Sequence, residues 1–180
     1  EHIFSARDGG TNTRVYIRLV DNGLITITMG DGQQDITDLP YVAGVWNYIV
    51  LSWASDVGTV YLNGELHGTT VSAITAGASN NDTYELMLGA YAQNVASYNF
   101  QGNIDEVAIY NKALSAGDIS ALYSAKGTAN LNDDGNSANL QGWWRMGDGD
   151  TYPTITDNST NSNDGTMTNM ASEDIAEDTP

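Results

Sequence analysis

The sequence predicts an all-β fold of two packed antiparallel sheets with one short helix. Two observations indicate this fold. Short segments of alternating apolar and polar residues recur along the chain between clusters of Gly, Asn and Asp, and only one segment has the apolar spacing of a helix. The length of 180 residues suits one large all-β domain, and 41% hydrophobic residues are enough to form its core.

The first clear pair of strands predicts a hairpin. Residues 14–20 (RVYIRLV) alternate between apolar and polar side chains, and residues 24–29 (LITITM) do the same. The sequence Asp21-Asn22-Gly23 separates them, and these residue types favour a tight reversal of the chain.

The middle of the chain predicts further antiparallel strands. Residues 46–53 (WNYIVLSW) are apolar on both faces, which indicates a central strand buried between two layers. Residues 58–63 end in Asn63-Gly64, a dipeptide that favours a type I′ turn because it tolerates positive φ. The return strand is predicted at 65–71. The remaining predicted strands are 84–90, 100–111, 142–149 and 165–170. The four tryptophans lie in strand patterns and are expected in the core: Trp46, Trp53, Trp143 and Trp144.

One short helix is predicted near residues 115–125. Ser115 and Asp118 form an S-x-x-D start, close to a capping box. Gly127 lies where a left-handed C-cap is expected. The helical spacing of the apolar side chains predicts one docking face: Ile119, Leu122 and Tyr123.

Charge and composition exclude several classes of partner. Asp and Glu number 23 against 6 Lys and Arg, so the formal net charge is −17. Binding to nucleic acid or to an anionic membrane requires clustered cations, and the few here are scattered along the chain. No membrane-spanning segment, signal peptide or cysteine is visible. Because the chain begins with Glu1, we expect a processed product or an excised fragment.

Residues 46–123 resemble bacterial and viral laminin-G-like domains of the concanavalin A-like lectin/glucanase superfamily. The resemblance depends on the strings WNYIVLSW, VYLNGELHG, LMLGA and FQGNIDEVAIYNKALSAGDISALY. It implies a jelly-roll sandwich at an extracellular or virion surface. It also implies a binding module for carbohydrate or a cell-surface receptor, or alternatively a structural decoration domain without its own ligand. The C-terminal region resembles tails of marine bacteriophage virion proteins.

The same resemblance suggests a domain organisation. Residues 1–127 are expected to form the sandwich, with its opening strands apparently missing. Residues 128–141 are expected to be a linker or long loop. Residues 142–170 either complete the sandwich or begin a second domain, and residues 171–180 are expected to be a loose acidic tail.

No catalytic residues are predicted. Glucanases of this fold resemble one another in an E-x-D-x-E strand, which this chain lacks. Asp105 and Glu106 are adjacent, so on a strand they would face opposite sides. The other acidic and histidine candidates have the wrong spacing or stand alone: Glu173, Asp174, Glu177, His2 and His67. The chain is therefore interpreted as a non-enzyme.

Calcium is the only cofactor predicted. Calcium binds six or more oxygen ligands, and a loop rich in Asp and Asn can supply them. The predicted ligands are Asp157, Asn161, Asn163 and Asp164, with help from Asp105. The alternative is that these residues only form turns and that the acidity only maintains solubility.

A ligand site is predicted in the loop of residues 90–99. Tyr91 and Tyr98 could provide aromatic surfaces for a sugar, and Asn94 and Asn99 could provide amide groups beside them. The alternative is an ordinary long loop with partly packed tyrosines.

Overall fold

The computed structural model describes residues 1–8, 14–20, 24–29, 34–55, 57–71, 84–91 and 98–176. They form two compact units, an N-terminal unit of Glu1–Asn103 and a C-terminal unit of Ile104–Pro180. Among the described helices, none is long and apolar enough to span a membrane.

Within its described residues, the N-terminal unit contains eight strands in two antiparallel sheets. They are β1 (His2–Asp8), β2 (Arg14–Val20), β3 (Leu24–Met29), β4 (Gln34–Pro40), β5 (Ile49–Ala54), β6 (Val57–Leu62), β7 (Glu65–Val71) and β8 (Tyr84–Leu88). One sheet has the order β4-β3-β2-β1-β8 and the other β5-β6-β7.

The core of this unit lies between the two sheets. Ile25, Ile27 and Leu39 come from the five-stranded sheet and pack with Val60 of the three-stranded sheet. All four are buried, and each such side chain contributes about 1.5–3 kcal/mol to folding. The predicted all-β, two-sheet antiparallel fold is confirmed.

The predicted turn at Asn63-Gly64 is found in the structure. Asn63 and Gly64 both adopt positive φ, 53° and 81°, between the paired residues Leu62 and Glu65. Strands β2 and β3 also pair as an antiparallel hairpin, although residues 21–23 that connect them lie outside the described residues.

Two of the four tryptophans are not in the core. Trp46 and Trp53 are 39% and 38% exposed, contrary to the prediction. Trp46 lies in the loop before β5, and β5 is an outer strand of its sheet, so neither residue is covered on both sides. Trp143 and Trp144 are buried as expected.

The C-terminal unit has less regular structure. Its elements are β9 (Val107–Tyr110), α1 (Ala116–Ala125), β10 (Leu140–Trp144), β11 (Thr154–Ile155) and β12 (Gly165–Thr166). Strand β10 pairs antiparallel with β9, and β11 pairs with β12. A small core forms around Leu131, Leu140 and Trp143.

The helix begins as predicted. Ser115 is the N-cap and forms a full capping box with Asp118. Ile119 is buried, while Tyr123 is 37% exposed, so the predicted apolar face is only partly covered. The left-handed C-cap is Lys126 rather than Gly127, which follows it and also has positive φ.

Several predicted strands are shorter in the structure. Strand β9 begins only at Val107, because Glu106 has a φ of 52° that interrupts the extended backbone. Strand β10 ends at Trp144, and Met146 and Gly147 then turn the chain with positive φ.

The chain divides into its two compact units between Asn103 and Ile104, whereas the domain boundary at residue 127 stays a prediction. The pairing of β10 with β9 joins segments on both sides of residue 127 into one unit. Residues 128–139 form a turn-rich loop that contributes the buried Leu131 to the core. In the predicted tail, Ser172–Asp174 form a short 3₁₀ helix, and residues 177–180 lie outside the described residues.

Candidate functional site

An aromatic cluster lies in the N-terminal unit. We define it as His2, Tyr16, Tyr91 and Tyr98. The His2 ring lies 4.9 Å from Tyr91, 5.3 Å from Tyr16 and 5.8 Å from Tyr98, measured between centroids. Tyr91 lies 6.0 Å from Tyr98 in an edge-to-face arrangement. These separations and tilts are those of favourable aromatic pairs.

Backbone pairing positions the aromatic cluster. The His2 amide donates to the Tyr98 carbonyl at 2.9 Å, and His2 forms a parallel bridge with Asn99. Tyr16 lies on β2 next to β1, and its hydroxyl lies 3.4 Å from the hydroxyl of Tyr91. His2 and Tyr16 are buried, whereas Tyr98 is 47% exposed. The cluster therefore has a fixed base and one ring open to solvent.

His2 is uncharged at neutral pH. Burial, together with the positive charges of the terminal ammonium and Arg18, lowers the pKa of His2 from 6.5 to about 4. Its Nδ1 atom is buried without a hydrogen-bond partner among the described residues. The base of the aromatic cluster thus carries no formal charge at neutral pH, which suits a neutral ligand.

The structure brings together three of the four predicted ligand-binding residues. Tyr91 and Tyr98 belong to the aromatic cluster, and Asn99 is exposed beside it. Asn94 lies outside the described residues. The sequence reasoning missed His2 and Tyr16 as members. Tyr16 alternates with Arg14 and Arg18 along β2, on the face that the sequence pattern marks as polar, and an isolated histidine at position 2 carried no signal.

A second group of polar side chains lies in the C-terminal unit. Glu106 accepts from the Trp143 indole at 2.7 Å and from Arg145 Nε at 3.0 Å. Arg145 also forms an ion pair with Asp148 at 2.6 Å, and its guanidinium lies 5.5 Å from the centroid of the Trp143 ring. This network was not anticipated, because the residues are far apart in sequence.

Asp105 lies next to this network. Its Oδ1 accepts the Glu106 amide at 2.8 Å, while its Oδ2 is buried with no partner among the described residues. Burial, together with the charges of Glu106 and Asp148, raises the pKa of Asp105 to about 6. Asp105 and Glu106 precede β9 and do not lie on a strand. The expectation that a strand would hold them on opposite faces was therefore wrong. Glu106 is instead fixed by Trp143 and Arg145.

The acidic loop at 157–164 is organised by one buried carboxylate. Asp157 accepts the amides of Trp143 and Ser159, both at 2.9 Å, and that of Asn163 at 2.8 Å. Burial alone would raise the pKa of Asp157, but these hydrogen bonds outweigh it and lower the pKa below its usual value.

The other predicted calcium ligands also support the loop. The Asn161 and Asn163 side-chain amides donate to the carbonyls of Leu140 and Gln141, each at 2.9 Å, and Asp164 accepts the Asp157 amide at the same distance. Among the described residues, no group of three or more His, Asp or Glu side chains is arranged to hold a metal ion. The charges that shift Asp105 belong to Glu106, Asp148 and Arg145, and none of them is in this loop.

Two comparisons with known proteins show what this chain is similar to. A crystal structure of an S-layer domain-containing protein (residues 221–444) from Clostridium thermocellum is 28% identical, with a TM-score of 0.36. The aligned region covers 68% of this chain and 62% of that structure. The search of curated proteins found no match. The sequence model of the concanavalin A-like lectin/glucanases superfamily matches residues 1–120, two thirds of the chain, and the chain therefore belongs to that superfamily.

Proposed function

We propose that this chain is a non-catalytic binding module that recognises carbohydrate through the aromatic cluster. The observation that carries the proposal is the exposed ring of Tyr98 beside half-buried Tyr91, supported by the neutral ring of His2. Membership of a superfamily that includes lectins supports a binding role. An extracellular or virion-surface location is part of the same proposal.

The chemistry of the aromatic cluster fits a neutral sugar. The C–H faces of a sugar ring pack on exposed aromatic rings, and the hydroxyls need polar groups at the rim. The hydroxyl of the exposed Tyr98 and the exposed amide of Asn99 supply such groups. A protein surface receptor that presents a glycan would use the same contacts.

The carboxylates of the C-terminal unit support a non-catalytic role. A retaining glycosidase needs two carboxyl groups about 5–5.5 Å apart on opposite sides of the scissile bond. Glu106 is bonded to Trp143 and Arg145, and Asp105 is bonded to the Glu106 amide. Neither carboxylate is arranged as a nucleophile facing an acid.

The proposal is tested on a glycan array followed by calorimetry with any glycan that binds. Tyr98→Ala is expected to weaken binding about tenfold or more, because stacking on an exposed ring is lost. Tyr152→Ala is the matched control, since Tyr152 is 46% exposed but lies in the C-terminal unit. Equal affinity of the Tyr98→Ala variant and the wild-type protein would contradict the proposal.

An exposed apolar loop favours a second candidate function, a structural decoration domain. The loop comprises residues 42–46, and its Val42, Val45 and Trp46 are 59%, 60% and 39% exposed. One side chain holds the loop in shape: Asn47 accepts the Val42 amide and donates to the carbonyls of Val42 and Val45, at 2.9–3.1 Å. Rigid exposed apolar groups are typical of protein contact surfaces.

The two candidates differ in what they require of the apolar loop. A decoration domain would bury Val45 in an assembled particle, so Val45→Asp would prevent its stoichiometric incorporation. A glycan-binding module would keep its affinity in the same variant. Incorporation of Val45→Asp at the wild-type level would exclude this loop as the assembly contact.

A further inference from the structure

A cavity of about 400 Å³ lies in the C-terminal unit, and its lining residues fall between 127 and 158. All of them lie beyond residues 1–120, the segment matched by the superfamily. The cavity is therefore a feature of the part of the chain that the family membership does not explain.

The fold builds the cavity from the end of the helix and strand β10. Lys126 and Gly127 both have positive φ, so the chain reverses after α1, and Thr128 follows as one of the lining residues. Trp143 and Arg145 also line the cavity. Trp143 is only 5% exposed and offers little surface for stacking, so recognition here would depend on hydrogen bonds.

The polar atoms available to a ligand include both acceptors and a donor. Thr128 donates its hydroxyl hydrogen to the Ala125 carbonyl at 2.6 Å, which leaves its lone pairs as acceptors. Asn132 and Asn158 use their NH₂ groups on the carbonyls of Asn158 and Thr156, which leaves their side-chain oxygens as acceptors. Arg145 uses Nε and Nη2 on Glu106 and Asp148, and Nη1 remains a donor among the described residues.

The local charge disfavours an anionic ligand. Among the described residues, Arg145 is the only cation lining the cavity, and two carboxylates already pair with it. Arg145, Glu106 and Asp148 together carry a net negative charge, and Asp105 would add to it. A phosphate, sulfate or carboxylate would therefore be repelled, although an arginine by itself would attract it.

From this arrangement we infer that the cavity binds a neutral polyhydroxylated ligand, a sugar residue or an acyclic polyol, through Thr128, Asn132, Asn158 and Arg145. Each hydroxyl donates one hydrogen bond and can accept others, so the several hydroxyls of one such ligand can together donate to the three acceptors and accept from the guanidinium. The site is separate from the aromatic cluster and does not depend on the function proposed for that cluster. Because these hydrogen bonds are open to water, the expected Kd is on the order of 1 mM.

The test is a titration of the ¹⁵N-labelled full chain followed by NMR. The probes are methyl β-glucoside, methyl β-glucuronide, which differs by one carboxylate, and sorbitol. We expect saturable shifts of the Arg145 Nε–H and the Asn132 side-chain amide with methyl β-glucoside, and weaker binding of the glucuronide. Equal binding of sorbitol would identify the ligand class as polyols, and preference for the glucoside would identify a sugar ring.

Variants separate this site from general effects. Thr128→Val is expected to raise the Kd about threefold to tenfold, because one hydrogen bond to the ligand is lost. Thr128→Ser should keep the wild-type affinity, and so should Thr160→Val at an exposed threonine outside the cavity. Tyr98→Ala should leave these shifts unchanged, so that a loss of binding at the aromatic cluster can be distinguished from a loss of binding in the cavity. The inference is overturned if no neutral probe causes saturable shifts up to roughly 50 mM, where a millimolar site would be nearly filled, or if the glucuronide binds more tightly than the glucoside.

Discussion

Replacement of Asp157 by alanine tests how the C-terminal unit is held together. The buried Asp157 carboxylate accepts three backbone amides, so Asp157→Ala leaves all three without their partner. A hydrogen bond to a charged acceptor contributes about 1.5–3 kcal/mol, and an unsatisfied buried amide costs about 1–3 kcal/mol. The amide of Trp143 lies in the buried strand β10, whereas those of Ser159 and Asn163 can partly rehydrate because the loop between them is exposed.

We therefore expect Asp157→Ala to lower the free energy of unfolding by about 3–5 kcal/mol. For a chain of this size that corresponds to a fall in Tm of about 10 °C. Asp157→Asn should cost less, about 2 kcal/mol, because its carbonyl still accepts two amides while its NH₂ opposes the third. The measurement is thermal and urea unfolding followed by circular dichroism, with Thr160→Ala as an exposed control that should change stability by less than about 0.5 kcal/mol.

The pH dependence gives a second readout. Because the pKa of Asp157 is lowered in the folded state, its stabilising effect is complete above the unfolded value near 4 and is lost as the pH falls through the folded value. The stabilities of the wild-type protein and Asp157→Ala should therefore converge in acid. An alanine variant that unfolds within about 1 kcal/mol of wild type at pH 7 would refute the reasoning.

Three further predictions concern titration and calcium. Asp105→Asn should stabilise the protein at pH 7 by about 2 kcal/mol, because the ionised form of a carboxyl with a pKa of about 6 is disfavoured in the folded state. The rise of the pKa from its ordinary value of 3.8 corresponds to about 3 kcal/mol, and the partial exposure of Asp105 reduces this figure. Relative to Asp105→Asn, the wild-type protein should lose this much stability as the pH rises from 4 to 6, as measured by urea unfolding. A stability difference between the two proteins that does not change with pH would contradict the raised pKa of Asp105. His2 acts in the opposite direction: its lowered pKa means that stability rises with pH between about 4 and 6.5, and His2→Phe should abolish that rise. If calcium binds the 157–164 loop, chelation should lower the Tm, and Asp164→Asn should remove this dependence; identical melting curves with calcium and chelator would leave the loop as a turn only.

Local patterns predicted the strands and caps, because their causes lie within a few residues. The Asn63-Gly64 turn and the Ser115–Asp118 capping box depend on backbone conformation and neighbouring side chains, and both are found. Exposure of Trp46 and Trp53 was missed because burial depends on which strand lies at a sheet edge, and the apolar pattern of one segment does not contain that information.

The candidate sites were predictable only in part for the same reason. Tyr91 and Tyr98 are close in sequence and could be recognised together, but His2 reaches them through backbone pairing of distant segments. The Glu106–Arg145 contact spans 39 residues and depends on the left-handed backbone of Glu106, which its residue type does not favour. The calcium prediction for Asp157 stays a prediction, because a composition rich in Asp and Asn fits a metal loop and a hydrogen-bonded loop equally well.

The loop of residues 42–46 has a consequence for how this surface can vary. All three hydrogen bonds from Asn47 reach backbone atoms, and none depends on the side chains that the loop presents. Gly44 adopts a φ of 78° and is the loop position that resists substitution. The side chains at 42, 43, 45 and 46 are exposed and do not define the backbone shape of the loop. Four neighbouring positions can thus diversify while Asn47 and Gly44 stay fixed, so related chains could acquire different partners on one unchanged framework, and randomised libraries could be displayed there.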